Sequence, residues 1–137
     1  MDDRIADLNE KFEEGMTKVT SNPEQSFKTG KLICKISDEF KLEHSMAKGH
    51  LLQAYSGFFL GIHDRAFESV NIALPIFIKY EDKKNQAASY NTLGFIYNYF
   101  DDHKKRLEVN LKSLKIRKDI GDEDGFMRSL NNTGDAY

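Results

Sequence analysis

Apolar side chains return along this chain at spacings of three and four, the interval that lines one face of an α-helix. Phe67, Val70, Leu74 and Phe77 keep that spacing, and so do Leu107, Leu111 and Leu114. Nothing in the pattern reads as a strand. It predicts helices near residues 4–18, 23–40, 43–59, 63–80, 84–99, 103–119 and 123–137. The links between them, such as "KLE", "EDKK" and "GDED", are short and polar, so consecutive helices are expected to pack as antiparallel hairpins. Boundary residues agree. Asn22 offers an N-cap and Pro23 occupies the first helical position, where its missing N–H costs nothing. Gly121 suits a left-handed C-cap, and Asp122, Glu123 and Asp124 then meet the positive end of the next helix. Pro75 is the exception: inside a helix it removes one hydrogen bond, so a kink or an early end is expected near residues 71–74.

The pattern also repeats. "SYNTLGFIY" (Ser89 to Tyr97) laid over "SLNNTGDAY" (Ser129 to Tyr137) matches Ser, Asn, Gly and Tyr at an offset of forty. The same offset pairs Ala47 with Ala87, Phe27 with Phe67, Leu32 with Ile72 and Ile36 with Ile76. Each unit is two helices whose apolar faces need a neighbour.

The segment "LGFIYNYFDDHKKRLEVNLKSLKIR" followed by "IGDEDGFMRSLNNTGDAY" resembles tetratricopeptide repeats, in the longer form of about 40 residues found in bacterial signalling proteins. The resemblance covers nearly the whole chain. It implies an all-α, right-handed superhelical solenoid of antiparallel helix pairs in a single domain of about 3.5 repeats and seven helices. The repeats fall near residues 7–46, 47–86 and 87–126, with 127–137 incomplete. In the family pattern Gly94, Gly134 and Ala54 are the small residues that let two helices approach, Tyr97 and Tyr137 are the following aromatic, and Ala66 and Ala73 are the contact alanines. The sequence departs from the pattern at Gly57, where an aromatic belongs, at Arg106, where alanine belongs, and at Pro75. Arg106 is expected to lay its stem on a neighbouring helix and keep its head in water.

The resemblance further implies a concave face that holds a protein or peptide partner. Its residues would be Lys48, Leu51, Tyr55 and Phe58, then Ala88, Asn91, Phe95 and Asn98, then Arg128, Asn131 and Asp135. Asn can pair with both the N–H and C=O of an extended peptide, and the aromatics can bury its side chains. The competing reading is that Tyr55, Phe58 and Phe95 only fill contacts between repeats.

Composition narrows the class. With 39% hydrophobic residues, ten Phe and two Pro in 137 residues, the chain is a folded domain and not a disordered or collagen-like one. Twenty basic against twenty-two acidic residues give a net charge of -2, and the two signs interleave, so nucleic-acid binding is not expected. The single cysteine, Cys34, forms no internal disulfide and sits in the apolar run "LICKI" as a small hydrophobe, which fits a reducing compartment. "MDDRIADLNE" lacks the features of a signal peptide, and the apolar stretch "IALPIFI" is too short for a bilayer. A cytoplasmic protein with no membrane partner is expected.

No catalytic constellation appears. His44, His50, His63 and His103 lack a metal-ligand spacing and read as solvated structural residues. "GDEDG" lacks the alternating acids and the later glutamate of a calcium loop. Neither a cofactor nor an enzymatic role within these residues is expected.

"NNTGDAY" reads as the first half of a fourth repeat, and so as a cut in a longer array. The resemblance implies a protein-interaction or sensory-regulatory module of a bacterial signalling protein, whose output domain beyond residue 137 would be a diguanylate cyclase, a histidine kinase or a DNA-binding regulator. The alternatives are a free-standing adaptor or scaffold and a small-ligand or peptide receptor. An unfinished repeat also leaves an apolar face open, so a homodimer or a stacked array through the C-terminal end is expected.

Overall fold

The computed structural model describes residues 3–125 and residue 127. Among them lie six α-helices: α1 Asp3–Thr17, α2 Pro23–Glu39, α3 Glu43–Phe59, α4 His63–Lys79, α5 Lys83–Tyr99 and α6 His103–Asp119. Residues 123–125 and 127 are also helical, and no strand occurs among the described residues. The protein is all-α, with every helix end within a residue of its expected place. The rest of the helix expected over 123–137 lies outside the described residues.

From α2 onward the helices are of equal length, 17 residues each, and their first residues stand at 23, 43, 63, 83 and 103. Their turns are equally regular. Lys41, Gly61, Glu81, Asp101 and Gly121 all adopt positive φ, at 57°, 80°, 54°, 61° and 74°. At each turn the N–H of the next residue reaches back five residues to a helix carbonyl, as in Leu42 to Ser37 at 2.8 Å, Ile62 to Gly57 at 3.0 Å and Asp102 to Tyr97 at 2.9 Å. That pair of features is the Schellman ending, which satisfies carbonyls that the helix itself leaves open. The residue that closes one helix also starts the next. Asp82 and Asp102 cap the backbone N–H groups of Asn85 and Lys105 at 3.2 and 3.1 Å. Asn22 does the same for Gln25 at 3.2 Å, ahead of Pro23.

The chain divides into two compact units, Met1–Ile76 and Phe77–Tyr137. In the first, α2 packs along α3 and α1 contacts both. Glycine makes the α2–α3 approach possible: a methyl group on Gly30 would come within 2.9 Å of the Gly49 carbonyl oxygen, and one on Gly49 within 2.9 Å of the Gly30 oxygen. α1 is fixed by Ser26, whose hydroxyl donates to the Gly15 carbonyl at 2.7 Å, and by Arg4, whose guanidinium lies 3.9 Å from the centre of the Phe40 ring. Leu8, Phe12, Val19, Ile33, Leu51 and Leu52 fill the interior.

In the second unit α5 packs on α6. The buried side of α6 is not the leucine stripe that its sequence suggests. Leu111 is 47% exposed, whereas Asn110, Ser113 and Arg117 are 2%, 0% and 6% exposed. Each of these polar groups meets a particular neighbour. Ser113 donates to the Ala87 carbonyl at 2.9 Å, and Arg117 pairs with Asp122 at 3.3 Å. Asn110 lies against Gly94, so that a methyl group at Gly94 would strike its Oδ1. The Hα of Gly94 points at that oxygen, a weak Cα–H···O contact for an atom that otherwise has no hydrogen-bond partner.

Pro75 does not end its helix. α4 runs unbroken from His63 to Lys79. Val70, Ala73 and Phe77, all fully buried, hold the backbone helical on both sides of the proline, which is itself exposed.

The positive-φ positions give a direct test, because the left-handed conformation costs a side-chain-bearing residue about 1–2 kcal/mol and glycine far less. Gly61→Ala should lower the unfolding free energy by about 1 kcal/mol, and Lys41→Gly should raise it by about 0.5–1 kcal/mol. Urea titrations with unchanged slope would check both.

Candidate functional site

The residues assigned to a partner-binding face separate into distinct environments. Leu51 is fully buried between its neighbours in the core and offers nothing to a partner, a correction to the expected face. It falls on the inner side of α3 with Ala47, Leu52 and Ala54, all at 0% exposure. Lys48 is half-buried, its Nζ donating to Asn9 Oδ1 of α1 at 2.8 Å and lying 6.0 Å from the Phe12 ring centre.

Tyr55 and Phe58 are half-buried and belong to an aromatic cluster where α3 gives way to α4. The Tyr55 and Phe58 rings each stand 5.4 Å from that of Phe59, at interplanar angles of 67° and 84°, and Phe58 stands 5.1 Å from His63. These edge-to-face arrangements match the ring quadrupoles. Phe59 is 44% exposed and Ile62 38%, so the cluster reaches the surface. The resemblance named Tyr55 and Phe58 but not Phe59, the last residue of α3, or His63, the first residue of α4.

In the second unit Ala88, Asn91 and Phe95 are half-buried and Asn98 is exposed. Asn98 Oδ1 accepts from Arg106 Nη1 at 2.7 Å, so Arg106 lies along α5 with its head group at the surface. Tyr99, 58% exposed, and Phe100, 40% exposed, stand 5.8 Å apart at the end of α5. Arg128, Asn131 and Asp135 lie outside the described residues.

The small residues of the repeat pattern behave as packing positions. Ala54, Ala66 and Ala73 are fully buried, and Gly94 is buried against Asn110. Tyr97 is half-buried, with Lys105 Nζ 5.8 Å from its ring centre. Space beside Gly57 is short: a methyl group there would lie 3.3 Å from Ile62 Cγ1 and 3.6 Å from Ala66 Cβ. Gly134 and Tyr137 lie outside the described residues.

Other titratable groups have structural surroundings. The Cys34 thiol, half-buried, receives a hydrogen bond from Gln53 Nε2 at 3.2 Å and donates to the Met46 carbonyl at 3.6 Å. Burial pushes its pKa up to about 11, which keeps it a thiol and not a nucleophilic thiolate. Asp122 is a helix cap: its Oδ1 accepts from the Gly125 N–H at 3.0 Å and its Oδ2 faces Arg117. Among the described residues no three His, Cys, Asp or Glu side chains gather as metal ligands. No helix there is long and apolar enough to cross a membrane. A groove of about 420 Å³ runs between α1 and α2, lined among others by Lys11, Glu14, Lys18 and Thr29.

His50 corrects the expectation of solvated histidines. Its Nδ1 is buried without a hydrogen-bond partner. Burial holds the imidazole below its ordinary value of 6.5, Arg65 adds to that depression, and Glu68 opposes it.

No protein-family model matches the chain, and no significant match to it occurs among the curated proteins.

His50 generates a pH prediction. Its proton is bound more readily in the unfolded chain, so His50 stabilises the fold fully above pH 6.5 and loses that contribution as pH falls below it. The stability difference between wild type and His50→Gln, from urea titrations between neutral and mildly acidic pH, should change with pH in that direction. A difference independent of pH would contradict it.

Proposed function

We propose that the chain is a segment of a tetratricopeptide-like, right-handed solenoid that serves as the protein-interaction or sensory-regulatory module of a larger cytoplasmic regulator. The observation that carries this reading is the regularity of the helices from α2 to α6: equal length, a constant interval of twenty residues and one turn geometry throughout. A chain built so strictly on one unit has a surface built on the same interval, and such surfaces bind extended or helical partners along their length. The half-buried groups on α3 and α5 supply the chemistry. Tyr55 and Phe58 are held by other rings before any ligand arrives, which lowers the entropy cost of binding. Asn91 and Phe95 place an amide and an aromatic one helical turn apart.

In this reading the ligand is an extended peptide: on α5 Asn91 pairs with its backbone and Phe95 takes an apolar side chain, and on α3 Tyr55 and Phe58 offer an apolar surface of their own. Lys48 contributes a cation at the other end of the α3 row.

Selection of the 137-residue chain against a displayed library of random peptides tests the proposal. Enriched peptides should share apolar side chains at regular spacing. Asn91→Ala combined with Phe95→Ala should weaken the best of them by tenfold or more, about 1.4 kcal/mol, and shift the melting temperature by less than about 4 °C. Failure to enrich any peptide, or a double variant that unfolds, would overturn the assignment.

A further inference from the structure

Charge is shared unevenly among the helices. α1 carries five acidic and two basic side chains, and α6 carries seven basic and two acidic ones. Between them α2, α3 and α4 are each neutral and α5 holds only Lys83 and Lys84. On both outer helices the surplus faces solvent. Lys11 answers Asp7 at 3.4 Å and Lys18 answers Glu14 at 2.8 Å, but Asp3, Glu10 and Glu13 are exposed with no cation within ion-pair distance among the described residues. On α6 the exposed Lys104, Lys112, Lys115 and Lys118 have no carboxylate within that distance. Lys105 comes only to 4.0 Å from Asp102.

Both sets form stripes. Asp3, Glu10 and Glu13 follow spacings of seven and three, and Lys112, Lys115 and Lys118 follow spacings of three, so each set occupies one side of its helix. The stripes run about 15 Å on α1, from Asp3 to Glu13, and about 21 Å on α6 when Lys104, eight residues before Lys112 and on the same side, is counted, at 1.5 Å per residue. Leu111 lies exposed within the basic stripe, and Ala6, small and exposed, lies between Asp3 and Glu10.

We propose that the acidic face of α1 in one copy docks on the lysine face of α6 in a second copy. The chain carries both halves of the complementary surface, and they lie on different helices. Each contact joins α1 of one copy to α6 of another, whether two such contacts close a two-fold dimer or single ones join copies in series. A polypeptide face with the small Ala6 at its centre can also cover Leu111.

Sedimentation velocity on the 137-residue chain, at low salt and at about 0.5 M NaCl, tests the contact, since exposed charges lose their reach as the Debye length shrinks. Association should grow with protein concentration at low salt and disappear at high salt. Glu10→Lys with Glu13→Lys should abolish it, as should Lys115→Glu with Lys118→Glu, each with unchanged helical circular dichroism. An equimolar mixture of the two double variants should associate again, because each then presents to the other an acidic face against a basic one. A monomer at every concentration in low salt would overturn the proposal. So would association that survives high salt, association indifferent to the reversals, or a mixture that stays monomeric, and the first two of these would point to an apolar surface instead.

Discussion

Everything regular in this protein depends on a turn of three residues. The first closes a helix, the second takes positive φ, and the third both completes the Schellman hydrogen bond and opens the following helix. Because one residue serves as the end of one helix and the cap of the next, no slack is left between them, and helix length is the remaining variable. The chain holds that variable at 17 residues five times over. The backbone conformation is constant even where the residue is not: glycine takes the left-handed position twice, while lysine, glutamate and aspartate take it elsewhere at a cost of about 1–2 kcal/mol each. That these turns persist without glycine means that the packed helices impose them.

The packing is tightest where side chains are smallest. Gly30 and Gly49 bring two helix backbones into near contact, and no larger residue fits either site without moving the other helix. In α6 the same closeness has a different consequence. Gly94 admits Asn110, and the Ala87 carbonyl receives Ser113, so the interior side of the helix is polar, with the Ser113 hydroxyl satisfied by that carbonyl and Asn110 Oδ1 left only the weak contact from Gly94. A buried hydroxyl with a partner costs little, whereas one without a partner costs about 1–3 kcal/mol. Polar residues at these depths are therefore tolerated only because a glycine and an open carbonyl face them.

Those cases explain what could and could not be read in advance. Helix positions were legible almost to the residue, since capping residues, proline and short polar links mark boundaries by local chemistry. The forty-residue offset rests on Ser89, Asn91, Gly94 and Tyr97 and on counterparts that lie outside the described residues. The inner face of α6 was not. Periodicity assigned it to Leu107, Leu111 and Leu114, but the rotation of the helix is set by which side chains fit against Gly94 and Ala87, information that resides on α5. For a related reason Pro75 does not end α4, because the loss of one hydrogen bond is a local penalty and the burial of Val70, Ala73 and Phe77 on either side outweighs it. Leu51 shows the same limit within the candidate site: a spacing shared with Lys48, Tyr55 and Phe58 says that residues follow one row, not how deep each lies.

Depth is what divides packing from recognition along that row. Leu51 is spent on the core, Tyr55 and Phe58 are partly covered by Phe59 and His63, and Phe59 itself stands open. A ring that is wholly buried cannot meet a ligand, and one that is wholly free loses its rotamer freedom when it does, at about 0.5–1.5 kcal/mol for a side chain immobilised on binding. The half-covered rings avoid both losses. Their orientation is already fixed by edge-to-face contact, while part of each surface remains in water and is available to be covered. The same intermediate depth recurs at Asn91 and Phe95 on α5, so the residues proposed for recognition on each helix share one level of burial.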